Sequence, residues 1–92
     1  MYRFEPGSYQ TPSGFLPALA CFKIGKNKME SLDYILTNTK IIEPNEEKAV
    51  EIAEKSLSKA FKNSGQKGNE QKIANSLKAD GFKIVKNPKF AK

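Results

Sequence analysis

Glu46, Glu47, Glu51 and Glu54 lie just ahead of Lys55, Lys59 and Lys62, so acid and base crowd into one short stretch of this chain. Grouped carboxylates are what a divalent-metal site or an acid–base pair needs, and lysines in a row are what phosphate contact needs. Spacing decides between these uses. At helical periodicity Glu47, Glu51, Glu54, Lys55, Ser58 and Lys62 share one face, while Ala49, Val50, Ala53, Leu57, Ala60 and Phe61 share the other. The carboxylates therefore stand in water, where divalent ions bind weakly. Paired-carboxylate glycoside chemistry would also need a cleft, and a chain of 92 residues spends its apolar side chains on a single core.

Other catalytic routes are closed by composition. The chain has no histidine and one cysteine, Cys21, so neither a Cys/His zinc site nor an internal disulfide can be assembled, and Cys21 is expected as a buried free thiol. Gly65, Gln66, Lys67, Gly68 and Asn69 set a lysine between glycines ahead of a helix start, a place for an anion to touch backbone N–H groups. The glycine, lysine and hydroxyl spacing of a nucleotide-binding loop is missing. No enzyme activity, cofactor, metal or small-molecule substrate is expected.

Charge is divided along the chain. Met1 to Glu54 carries six basic and eight acidic residues, whereas Lys55 to Lys92 carries ten lysines against Glu70 and Asp80. The whole positive balance, +6, belongs to the second part. Such asymmetry points to a basic surface drawn to phosphates or to an acidic protein groove, and set against it stands a lysine surface that only solubilises. Lys55, Lys59, Lys62 and Lys67 are the first choices for phosphate contact, with Lys26 and Lys28 as a second patch. Arg3 is the sole arginine, so contacts to nucleic acid should fall on backbone rather than base edges.

The elements that must position these residues follow from pattern and punctuation. Residues 44–65 predict the organising helix, capped by Asn45 and stopped by Gly65. Before it, Tyr2, Phe4, Pro6, Gly7, Tyr9, Pro12 and Gly14 predict an irregular arm over residues 1–13. Folded back, its aromatics cover the core edge; left open, Tyr2, Phe4 and Tyr9 form a partner-binding arm. Phe15 to Ile24 predicts a strand in which Pro17 marks an edge position or precedes the regular part. Gly25 to Lys28 turns the chain into a second strand from Met29, which fits a helix almost as well; the β-branched Thr37, Thr39, Ile41 and Ile42 favour extended structure, bulged near Asn38. A shorter helix from Asn69 to Gly81 and a last strand over residues 82–86 complete the order. Phe22, Tyr34 and Phe82 are expected in the core rather than on an RNA-binding platform. The layout is α+β: a small antiparallel sheet, β-β-α-α-β, with two helices on one face, residues 14–92 forming one domain.

The hairpin "LPALACFKIGKNK", the helix "EEKAVEIAEKSLSKAF" and the closing "IANSLKADGFKIVK" unit together resemble the small accessory proteins of bacteriophages, anti-CRISPR proteins among them, over residues 14–86. The resemblance implies a non-enzymatic inhibitor that docks on a CRISPR effector complex, contacting protein subunits and guide RNA. A net charge of +6 departs from the acidic members that mimic DNA. The residues themselves leave two other readings: a stand-alone DNA- or RNA-binding protein using the same lysines, or an assembly subunit that buries the aromatic arm in a neighbour. The longest apolar run, Phe15 to Phe22, contains Pro17 and is too short for a membrane span, and a cytoplasmic location is expected.

Overall fold

A computed structural model describes residues 2–63 and 70–85. Its elements are β1 (Tyr2–Thr11), β2 (Gly14–Ile24), β3 (Glu30–Asn38), α1 (Glu46–Asn63), α2 (Glu70–Ala79) and β4 (Phe82–Val85). The four strands make one antiparallel sheet in the order β1-β2-β3-β4, with both helices packed on one face. The α+β class is as predicted; the sheet is one strand larger.

That extra strand corrects the reading of residues 1–13. The segment predicted as an irregular arm is β1, paired with β2 from Tyr2–Lys23 to Thr11–Gly14. Pro6 and Gly7 suggested broken structure, yet the register makes both harmless. Phe15 exchanges both backbone hydrogen bonds with Glu43, at 2.7 and 2.8 Å, on the side of β2 away from β1. Backbone groups alternate sides along a strand, so Leu19 also points away from β1, and its partner Pro6 directs its nitrogen to the free edge. Nothing is lost by the missing N–H.

Pro17 obeys the same alternation. Its nitrogen points toward β3, into the gap between the Phe15–Glu43 bridge and the first β2–β3 pair, Ala18–Thr37. Of the two positions predicted for Pro17, the edge is not what is found, since β2 is an internal strand; Pro17 instead precedes the regular β2–β3 ladder, which begins at Ala18. The predicted bulge is also displaced. It falls at Asp33, the extra residue between the pairs Cys21–Tyr34 and Phe22–Leu32, and β3 ends at Asn38.

β2 is apolar on both sides, one facing the helices and the other, mostly small residues, shielded by larger side chains of neighbouring strands, and this accounts for the unbroken run from Phe15 to Phe22. Toward the helices, Leu19 and Leu36 pack with Ala53, Leu57 and Ala60 of α1, Ile73, Ala74 and Leu77 of α2, and Phe82, with Phe4 and Tyr34 at the margin. On the other face Ala18, Ala20 and Ile35 are buried among Tyr9, Phe22 and Leu32. Phe82 is buried, and Phe22 and Tyr34 are half-buried, each packed on an apolar cluster.

α1 begins as its cap predicts. The Asn45 side-chain oxygen accepts from the Glu47 N–H at 2.8 Å, and Glu46 and Glu47 occupy the first turn. α2 ends at Gly81, which adopts φ +107° and donates its N–H to the Lys78 carbonyl at 3.1 Å. The predicted stop at Gly65, the predicted cap at Asn69 and the proposed contact at Lys67 lie outside the described residues.

Candidate partner-binding surface

The lysines chosen from sequence fall into two separate groups. Ala49, Ala53, Leu57 and Ala60 turn α1 inward, and this leaves Lys55, Lys59 and Lys62 exposed along its C-terminal half. Ser58 and Glu54 line the same shallow hollow. Lys59 reaches the Asp80 carboxylate at 3.7 Å, so one of the three already has an anionic neighbour within the chain. Asp80 in turn offers its backbone carbonyl to the Asn38 amide at 3.4 Å, which places Lys59 beside the C-terminal end of β3.

Lys26 and Lys28 occupy the turn at the opposite end of that strand. The Lys28 N–H donates to the Gly25 carbonyl, and the Gly25 N–H to Met29, both at 3.0 Å. Lys28 closes the turn at φ 63°, a left-handed conformation that costs a non-glycine residue about 1 kcal/mol. β3 has nine residues, so about 25 Å of strand separates this turn from Lys59. The fold does not merge the two lysine groups into one patch.

The aromatic residues of the expected arm are used inside the chain. Phe4 packs against the helix-side core and Tyr9 against the opposite cluster, while Tyr2 remains 39% exposed. Beside Tyr2, Arg3 ties three strands together. Its guanidinium donates to Glu30 at 2.7 and 3.2 Å and to Glu5 at 3.3 Å, and lies 4.7 Å from the centre of the Phe22 ring. Donation from Arg3 holds the Glu30 carboxyl below its ordinary range. Sequence alone singled out Arg3 only as the lone arginine; its role as a strand clamp needs the register.

The acidic half of α1 is exposed, and Asn45, Glu46, Glu47, Val50, Glu51 and Glu54 border an open hollow. Glu46 accepts from the Ser8 hydroxyl of β1 at 3.1 Å. Among the described residues no three His, Cys, Asp or Glu side chains gather where a metal ion could be held. Two further groups leave their ordinary ranges, and both lie inward. Burial pushes the Cys21 thiol up to about 11, and burial together with donation to Glu70 raises the Tyr34 hydroxyl well above the usual tyrosine range. A thiol so raised is a poor nucleophile, which suits the buried free cysteine expected from sequence. The Tyr34–Glu70 contact joins residues 36 apart in sequence, and no local pattern announces it.

Among the described residues no helix is long and apolar enough to cross a membrane. Compared with protein-family models, curated proteins and solved structures, the chain matches none.

Proposed function

We propose that this protein is a non-enzymatic binding module that docks on a nucleoprotein machine, using the lysines of α1 against phosphate. The observation that carries the reading is the exposed C-terminal half of α1. Lys55 and Lys62 stand in water there, and the second part of the chain, with ten lysines against two acids, is strongly positive. A lysine ammonium on a mobile stem suits backbone phosphate and gives little base discrimination, so recognition of a defined machine would come from its protein subunits. Inhibition of a CRISPR effector complex is the specific form this takes if the layout resemblance holds. Lys59, next to Asp80, contributes less than its neighbours, and Lys26 and Lys28 serve a separate contact.

Fluorescence anisotropy with labelled duplex RNA, duplex DNA and a purified CRISPR effector ribonucleoprotein tests the reading across a salt series. Two lysines on phosphate contribute a log–log salt slope of about −2, which the Lys55→Glu/Lys62→Glu variant should abolish. Preference for the ribonucleoprotein together with blocked target cleavage supports the inhibitor. Equal binding to free nucleic acid supports a stand-alone binder instead. Absence of binding to all three at low salt overturns the proposal.

A further inference from the structure

Asp80 stands where a helix least favours an acid. It follows α2 directly, and its N–H donates to the Ser76 and Leu77 carbonyls at 3.2 and 3.0 Å, so its carboxylate lies at the end of the helix whose dipole favours cations. A turn residue is needed there, since Gly81 follows at φ +107° and leads into β4. Asparagine would serve that turn equally well without the charge. Neither the helix nor the turn accounts for the carboxylate.

What the carboxylate touches does account for it. Lys55, Lys59 and Lys62 fall within about 60° of one another around α1 and span about 10 Å along it, so they form one line of three ammonium groups. Lys59 is the middle one, and the Asp80 carboxylate lies 3.7 Å from it. Among the described residues neither Lys55 nor Lys62 has an acid within ion-pair distance, and Glu51, one turn before Lys55, does not reach it. The Asp80 backbone is held on two sides, by the carbonyls of α2 and by the Asn38 amide on its own carbonyl at 3.4 Å, which keeps the carboxylate beside Lys59.

We infer that Asp80 stands in for phosphate at Lys59 and so limits α1 to two phosphate contacts. The inference rests on the phosphate reading of α1 and names what regulates that surface. A phosphate oxygen approaching Lys59 meets a carboxylate already in place, and the two like charges repel. The pair is a surface one, its side chains 65% and 31% exposed, so it adds little to stability and its effect falls on the ligand. Each phosphate contact strengthens binding to every nucleic acid alike. Withholding one weakens the hold of free nucleic acid and leaves the choice of partner to protein subunits, which is specificity reached by disfavouring the wrong complexes.

Salt series on labelled duplex RNA and on the CRISPR effector ribonucleoprotein, run with the full chain and four variants, test it. On each ligand that is bound, Asp80→Asn should steepen the log–log salt slope by about one, from about −2 to about −3, and tighten binding at low salt. Lys59→Gln should leave the slope near −2 while Asp80 is present, and should return it from about −3 to about −2 in the Asp80→Asn/Lys59→Gln double variant. A mere change in net charge would instead let Lys59→Gln weaken binding equally in both backgrounds. Asp80→Ser repeats the test with a second uncharged turn residue, and circular dichroism with thermal unfolding checks that each variant keeps its fold. Binding by the unaltered chain with a slope that neither Asp80 substitution changes overturns this inference and leaves the phosphate reading standing. Absence of binding by the unaltered chain and every variant to both ligands overturns the two together.

Discussion

Tyr34 of β3 donates its hydroxyl hydrogen to the carboxylate of Glu70, the first residue of α2, and this bond pins the start of that helix to the middle of the sheet. The hydroxyl lies beside the buried Cys21 thiol, so the sheet and α2 share one partly buried polar cluster beneath an otherwise apolar layer. Hydrogen bonds to charged acceptors contribute more than neutral ones, which makes this a tie worth testing.

Tyr34→Phe should lower stability by about 1–2 kcal/mol, read from the midpoint of urea unfolding. Hydrogen exchange in the first turn of α2 should accelerate more than exchange in α1.

Alkaline pH should act on the same cluster. Cys21 and Tyr34 both hold their protons more tightly in the folded chain than at their ordinary values of 9.0 and 10.0. The folded state therefore binds more protons than the unfolded one above pH 9, and the stability these groups contribute is present below pH 9 and lost as pH climbs. Thermal unfolding between pH 8 and 11 should show the decline, and Cys21→Ala should remove its first part.

Gly14→Ala and Gly81→Ala separate crowding from backbone strain. At Gly14, with φ +145°, a methyl group would meet the Glu43 carbonyl oxygen at 2.8 Å and an Ile42 methyl at 2.9 Å. At Gly81, with φ +107°, the nearest atoms are 3.5 Å away. The first substitution should cost about 2–3 kcal/mol and the second about 1 kcal/mol, measured by denaturant unfolding.

Thr37→Val should raise stability by about 1 kcal/mol. The Thr37 hydroxyl is buried without a hydrogen-bond partner among the described residues, and valine keeps its shape while removing the unpaired group. A fall in the unfolding midpoint would show that the hydroxyl is satisfied after all.

Much of the fold is legible locally. Asn45 caps α1, the apolar spacing of Ala49, Ala53, Leu57 and Ala60 sets its inward face, and Gly81 ends α2, because each effect acts within a turn or two of helix. β1 was hidden because Pro6 and Gly7 read as breakers until pairing shows which way each backbone group points. Asp33 is likewise a bulge only in relation to Cys21 and Phe22 on the neighbouring strand. The exposed lysines of α1 follow from periodicity, whereas their separation from Lys26 and Lys28 depends on the path of β3. Arg3 reaching Glu30 and Tyr34 reaching Glu70 depend on register and topology, which no short window of sequence contains.

Pro6 gives the outer rim of β1 a further property. An extended segment of another protein laid along that rim would find its run of backbone bonds cut near the middle, with usable stretches on either side too short to hold it alone. A ten-residue border strand is an open invitation to edge-to-edge pairing into fibrils, and here one ring interrupts that route while leaving the strand intact.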